Sequence, residues 1–394
     1  MNIVFFNNNL SGMAQFRREV IQRFLDRGFS VSIIAPEEAN MESLNRLPKG
    51  INYIPVQMDR TSTSPFHDMK LFVNIFRILR KLKPCHVFNY TIKPNIYGAL
   101  AARMLGISST DMIAGLGYSF TSKGIPSKIA RTLYRVACHC ANQVVVLNQA
   151  NYDTVLSLNL CKQDKLHLLR GGEGCDLSRY PLHENASDAT VFVLIGRLVE
   201  EKGYNEFVAV ARRIKNDTRN VTFQVVGGFD NSYPRHINEE QVQKDVQEGV
   251  IDFRGRISNM DEIYGQRGVV VCVPSYYSEG LNRSLIEGCA SGKPIITTDW
   301  PGCRETVQEG VNGYLAEPRD VDSLENAIRK YLSLSCEEKL AFGMASRKLA
   351  LDRFDVNEVV EYYESLLPKP VVGGVICKLQ PNAVAPDYAE RRAA

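Results

Sequence analysis

Glu279 and Glu287 stand eight positions apart in the stretch YYSEGLNRSLIEGCASGKP, residues 276–294. A helix that starts near Asn282 rises about 1.5 Å per residue, which separates the two carboxylates by roughly 12 Å along its axis. Carboxylates that cooperate at one glycosidic bond sit only about 5 to 9.5 Å apart. The spacing therefore suits a grip on the two ends of one elongated ligand. Between them, the backbone N–H groups of Gly280, Leu281 and Asn282 open a helix N-terminus, which attracts anions through unsatisfied donors and the helix dipole. A ligand with hydroxyls at both ends and phosphates in the middle fits that layout, and a nucleotide sugar is such a ligand.

Two further stretches support this chemistry. LIGRLVEEKG offers Arg197 and Lys202 on the turn before a helix, where a diphosphate needs two positive charges. VVGGFDN ends a neighbouring strand with Gly227 and Gly228, small enough to admit a ligand to the backbone. Singly, each has a plainer account, as solvated cations or turn glycines. Their placement after successive strands is what joins them. A rival string, Asp320-Val321-Asp322, has the form of a metal-binding Asp-x-Asp. Asp322 also precedes Glu325 by three positions at a helix start, which is a capping pattern, and capping explains both acids without a metal. Cys138-His139-Cys140 lacks a second ligand pair at a zinc spacing and is expected on a helix face.

The elements that must position these groups appear as two runs of the same rhythm. NIVFF leads to a helical pattern, AQFRREVIQRFLDRG, in which Phe16, Val20, Phe24 and Leu25 share a face and Gly28 caps the end. Strands are expected at FSVSIIAP, INYIPV, HVFNY, DMIAGLG, QVVVLN and KLHLL. After the Gly-, Asn- and Asp-rich stretch at 170–188 the rhythm restarts at TVFVLIG and continues through VTFQVVGG, VIDFRG, VVVCVPS and PIITT. Strands alternating with helices predict an α/β fold of two Rossmann-like domains facing across a cleft, with ligands at the carboxyl ends of the strands. The expected division is a first Rossmann-like domain over 1–172, a second over 188–350, a helix over 351–368 returning to the first domain, and a tail over 369–394 outside the fold.

The chain has 394 residues, 44% of them hydrophobic and 23% charged, which suits two globular domains. Apolar runs such as Val269 to Val273 fall far short of the roughly 20 residues of a membrane span. MNIVFFNNN reads as a first strand, not a leader, so the expected compartment is the cytoplasm. Ten scattered cysteines, many in apolar runs, are expected as reduced, packed thiols. Net charge is only +3, yet Lys70 to Arg135 holds eleven Lys or Arg against one acid, Asp111. KLFVNIFRILRKLK and SKIARTLYRV interleave those bases with apolar residues, a pattern shared by helices lying on anionic lipid and by core-packed amphipathic helices.

GRLVEEKG, PSYYSEGLNRSLIEGCASGKPIITTD and GCRETVQEGVNGYL, spread over most of 190–335, resemble the signature segments of glycosyltransferase family 4, retaining enzymes of the GT-B fold. The resemblance implies that Glu279 contacts the donor hexose, Glu287 the ribose hydroxyls, and Arg197 and Lys202 the diphosphate. Arg256 and Ile257 would hold the base, with UDP the expected nucleotide. It implies no cofactor and no metal, since the cations and helix amides take the leaving phosphate's charge. NYTIKPNIYGALAARMLGI and MIAGLGYSF resemble bacterial enzymes that glycosylate undecaprenyl-diphosphate-linked acceptors. That implies acceptor-side roles for Gly12, Lys93, Asn95, Gly115, Gly117 and Tyr118, peripheral contact with an anionic membrane through 70–135, and no nucleic acid.

The chain departs from the family pattern in places. The first loop, NNNLSGMAQ, has only Gly12 where a Gly-Gly pair is usual; Cys175 replaces a common Val; and Asn282 replaces a frequent Pro or Gly. No His lies between residues 87 and 138 to stand near the donor hexose. Two other function classes stay open at this point. An epimerase or sugar phosphorylase on the same fold would need extra acid and base groups or inorganic phosphate, and a silent binding subunit would have lost Glu279, Arg197 or Lys202.

Overall fold

Near-continuous apolar runs demand strands buried on both faces, and the computed structural model places them so. It describes residues 1–38, 42–59, 64–115, 125–183, 187, 189–231 and 233–367. The first sheet is parallel throughout, in the order β3-β2-β1-β4-β5-β6-β7. Its strands are β1 Asn2–Phe6, β2 Ser30–Ala35, β3 Asn52–Pro55, β4 His86–Tyr90, β5 Ser108–Ile113, β6 Gln143–Val146 and β7 Leu166–Leu168. The second sheet, also parallel, has the order β10-β9-β8-β11-β12-β13. It comprises β8 Thr190–Ile195, β9 Val221–Val226, β10 Asp252–Gly255, β11 Val269–Val273, β12 Ile295–Thr298 and β13 Gly313–Ala316. Strand order reverses once in each sheet, between β1 and β4 and between β8 and β11. Those are the crevices where such sheets take ligands.

The first helical pattern does not run unbroken. It splits into Leu10–Phe16 and Arg18–Asp26 at Arg17, whose φ of −121° and ψ of 0° leave the helix. The break turns the guanidinium inward, onto Glu173 and 4.2 Å from the centre of the Tyr90 ring. Gly28, at φ +78°, ends the second piece, with its N–H donating to Leu25 and that of Phe29 to Phe24.

Helix Cys336–Arg353 packs on the second sheet, whereas helix Val356–Ser365 buries Val356, Val359, Val360 and Tyr363 with Phe5, Phe88 and Tyr90 of the first. The chain thus crosses between domains twice. The crossings are zipped together, Cys175 N–H donating to Phe354 O at 2.7 Å and Val356 N–H to Cys175 O at 3.0 Å.

The cap before helix Val321–Leu332 is Asp320, whose side chain accepts from Ser323 N–H at 2.9 Å. This corrects the expectation that Asp322 caps with Glu325, because both of those carboxylates instead accept from Arg213. Cys138, on helix Ile125–Cys140, is buried, and exposed His139 bonds back to Arg135 O at 2.8 Å.

Asp111, the lone acid of the basic block, is fully buried on β5 and accepts from Asn89 Nδ2 at 2.8 Å. Its other oxygen and Asn89 Oδ1 have no hydrogen-bond partner. Burial holds its pKa well above the usual carboxylate range, with the Asn89 bond and then Lys165 opposing weakly. An acid with a raised folded pKa destabilises as pH climbs from the unfolded value, about 3.9, through the folded one, because the unfolded chain releases the proton first. Asp111→Asn keeps the Asn89 contact and removes the charge. It should therefore stabilise the protein at pH 8 by about 1 to 3 kcal/mol, with a smaller gain at pH 4.5. Melting curves across that range check the sign; a variant equally or less stable at pH 8 contradicts it.

Candidate active site

β8 and β11 are adjacent, pairing Val191 with Val269 and Val193 with Val271, so the loops at their carboxyl ends emerge side by side. The two loops are tied together. Tyr276 N–H donates to Glu201 O at 2.8 Å, and Ser275 Oγ donates to the same carbonyl at 3.1 Å. Gly203, at φ +81°, must lack a side chain, since a Cβ there would sit 2.3 Å from Pro274 O. This juncture places Lys202 Nζ 2.7 Å from Glu279 Oε1, with side chains only 10% and 22% exposed. The stem of Lys202 runs over Gly196.

Asn282 Nδ2 donates to the same Glu279 oxygen at 2.9 Å, while Asn282 Oδ1 caps helix Arg283–Ala290 at Leu285 N–H. One residue therefore fixes both the carboxylate and the helix start. Arg197, half exposed, donates to Asp230 Oδ2 at 2.7 Å. The Tyr277 ring lies between the two cations, 5.3 Å from Arg197 Cζ and 5.4 Å from Lys202 Nζ, within cation–π range. Farther along the helix, Glu287 Oε1 accepts from Arg283 Nε at 2.8 Å, and both side chains are nearly enclosed. Burial, and next the Glu287 charge, push the Tyr180 phenol up.

The first domain meets this site at Glu279 and Gly280. Asn148 Nδ2 donates to the carbonyls of Glu279 at 3.1 Å and Gly280 at 2.6 Å, while its Oδ1 caps helix Gln149–Ser157. A Cβ on Gly115 would come within 3.3 Å of Ser278 O, and one on Gly280 within 2.6 Å of Ala114 O. Two cations, two carboxylates and a helix N-terminus thus line the second domain's switch point, closed on one side by the first domain. Such a set can hold a diphosphate between two groups of hydroxyls.

Residues 182–349 match the family described as Glycosyl transferases group 1, and residues 4–148 that described as Glycosyl transferase 4-like. The chain belongs to these glycosyltransferases. It is 25% identical, over 94% of its length and 99% of the relative, to an N,N'-diacetylbacillosaminyl-diphospho-undecaprenol α-1,3-N-acetylgalactosaminyltransferase of Campylobacter jejuni. It is 22% identical, over 85% of its length and 90% of the relative, to an Escherichia coli UDP-Gal:α-D-GlcNAc-diphosphoundecaprenol α-1,3-galactosyltransferase. A solved glycosyltransferase from Rickettsia africae superimposes with a TM-score of 0.75 at 19% identity, covering 94% of this chain and 99% of that one. Anabaena HepE in complex with UDP-glucose gives 0.72 at 18%, covering 93% and 100%. The fold is therefore the two-domain GT-B arrangement of these enzymes.

In this glycosyltransferase, several residues singled out from the sequence sit otherwise than expected. Gly227 is glycine for packing, since a Cβ would fall 1.7 Å from Gly196 O on the neighbouring strand's end. The Asn282 N–H is not free for an anion, because it donates to Gly302 O at 2.7 Å. Leu281 reaches the interdomain crossing, its Cδ1 2.7 Å from where a Cβ on Gly172 would be. Asn95 is fully buried, donating to Met112 O at 3.1 Å and Tyr134 OH at 2.8 Å, so it supports the sheet and does not face the cleft.

The remaining candidates keep their places around the crevices. Arg256 lies exposed against Gly228, and Ile257 packs half-buried on the second domain's core. Lys93 pairs with Asp68 at 2.7 Å. Gly12 lies in the first turn of helix Leu10–Phe16, not in a loop as the sequence suggested, and its N–H donates to the capping Asn9 side chain. Gly117 and Tyr118 lie outside the described residues. Among the described residues, no group of three or more His, Cys, Asp or Glu is placed to hold a metal ion.

Asp230, Tyr277, Asn148 and Arg283 escaped the sequence reading. Asn148 carried a signal, as a polar residue closing the apolar strand QVVVLN at the carboxyl end. Asp230 and Tyr277 declare themselves only through partners distant in sequence, whereas Arg283 stands one turn from Glu287 on the same helix face, a spacing the sequence does show.

Proposed function

We propose that this glycosyltransferase moves a hexose or N-acetylhexosamine, with retention, from a nucleotide-diphosphate sugar, UDP being the nucleotide of choice, to a lipid-linked saccharide in surface polysaccharide or glycan assembly. The observation that carries this reading is the Lys202–Glu279 pair at the β8/β11 switch point, with Arg197 beside it and Glu287 on the helix that follows Glu279. Glu279 would take the hexose hydroxyls and Glu287 those of the ribose. As the bond from anomeric carbon to phosphate oxygen breaks, Arg197, Lys202 and the helix N-terminus would take the diphosphate's charge. Arg256 and Ile257 border the place left for the base. The relatives named for diphosphoundecaprenol acceptors support the lipid-linked acceptor.

The donor half is tested by melting the protein with nucleotides and nucleotide sugars, no metal added. A ligand held at a hundred times its dissociation constant adds about 2.7 kcal/mol. UDP and one UDP-sugar should do so; stabilisation by none of them overturns the reading.

The first domain's surface supports work at the inner face of a membrane. Asp68 meets Lys93 just past the end of β4, which puts the start of helix Pro65–Leu82 at the carboxyl end of the sheet. Helix Ile125–Cys140 begins at the same end, ahead of β6. Their first two turns expose Phe66 at 78%, Met69 at 60% and Ile129 at 56%, beside exposed Lys70 and Lys128. Exposed apolar groups ringed by bases beside a cleft suit an anionic bilayer. No helix among the described residues is long and apolar enough to cross a membrane. Flotation with phosphatidylglycerol vesicles should carry the protein up at low salt, and a Phe66→Ser, Met69→Ser, Ile129→Ser variant should stay behind. Equal flotation of both contradicts this face.

A further inference from the structure

Four charged side chains of alternating sign run from the first domain, through the chain crossing, to the donor helix. Arg17, 4% exposed at the break between the first two helices, pairs with Glu173 of the crossing, whose side chain is 12% exposed. Glu173 is also within the field of Arg283. The Arg283 guanidinium donates from one end to the carbonyl of Gly174, the residue after Glu173, and from Nε to Glu287. Its Cζ also lies 5.9 Å from the centre of the Phe16 ring, next to Arg17.

The crossing has little freedom to slip between these grips. Gly172 and Gly174 flank Glu173 at φ +59° and +61°, and neither has room for a Cβ, which would meet Leu281 Cδ1 at 2.7 Å and Val356 Cα at 2.9 Å respectively. Buried charges are costly unless each is paired, so moving one member of the chain disturbs the setting of the next.

We propose that Arg283 is a positioning residue that sets the Glu287 carboxylate for the donor's ribose and ties it to the Arg17–Glu173 pair, so that a pair outside the donor seat governs donor affinity. This rests on the reading that Glu287 holds the ribose. Arg283, with the Tyr180 phenol against the same carboxylate, fixes Glu287 in direction, so that a hydroxyl pair meets it without reorganising the site. Removing the Glu173 charge frees the crossing and lets the Arg283 fork rotate, and Glu287 turns with it.

A double-mutant cycle on UDP affinity, measured by calorimetry on the full chain, tests the link. Glu173→Gln should weaken UDP binding three- to tenfold in the native background and less than twofold once Arg283→Gln is present. Arg17→Lys, which keeps the charge but loses the fork, should show the same dependence and serves if Glu173→Gln does not fold. Equal fold-changes in both backgrounds, or no change in the native one, overturn the proposal. Glu287→Gln separates the two readings: if it weakens UDP while the cycle is additive, the coupling alone falls, and if it leaves UDP affinity unchanged, the ribose reading falls with it.

Discussion

Glu279→Ala should lower kcat by about a hundredfold or more while UDP affinity stays within a few fold. The carboxylate sits outside the helix proposed to receive the phosphates, fixed by Lys202 and Asn282 on the same oxygen. A group so held, and aimed where the hexose would lie, contributes to the reacting sugar and not to the nucleotide. Losing it frees Lys202 for the diphosphate, so UDP should bind as well or slightly better. Steady-state rates with a matched UDP-sugar and acceptor, beside UDP calorimetry, check both halves. Turnover within threefold of the native rate would remove Glu279 from the mechanism.

Lys202→Ala should be as damaging to turnover, by about 10²- to 10³-fold in kcat/KM, and should differ by weakening UDP as well. The ammonium is nearly enclosed, stacked near the Tyr277 ring, and its alkyl stem fills the space above Gly196. Its removal deletes a diphosphate contact and leaves Glu279 with Asn282 alone. Lys202→Arg should restore part of the UDP affinity but little turnover, because a planar fork does not follow the stem's path over Gly196. A Lys202→Ala enzyme that binds UDP normally would show that Arg197 and the helix amides suffice for the diphosphate.

The sheets were legible because their strands are apolar on both faces, as in VVVCV, and because the rhythm restarts cleanly at TVFVLIG. Glu287 could be placed on a helix from its apolar spacing, whereas Glu279 lies ahead of the first helical residue, Arg283, where the rise per residue no longer sets the distance. What periodicity cannot show is a polar group spent on a long-range partner. Arg17 interrupts the apolar face that Val20, Ile21 and Phe24 share, and its partner, a glutamate 156 positions away, has no periodicity to announce it. Asp230 and Tyr277 touch Arg197 only because β8, β9 and β11 are neighbours in the sheet, a fact of strand order. Gly227 carries a requirement that its sequence context did not show, an adjacent carbonyl that leaves no room for a side chain. The cap at Asp320 shifted by two positions because Arg213 claims the carboxylates that the capping pattern had assigned to the backbone.

Helix Val356–Ser365 joins the core built around Phe5, Phe88 and Tyr90, with Tyr90 OH donating to Tyr363 OH at 3.0 Å. During synthesis those aromatic residues leave the ribosome more than two hundred and sixty residues ahead of the helix that covers them, Tyr90 against Val356, the whole second domain coming between. The first domain must therefore wait, part of its apolar surface bare, until the second has emerged and folded. The order of birth of the two domains is thus the reverse of their order of completion, and a chain halted before residue 356 would be a natural client for a chaperone.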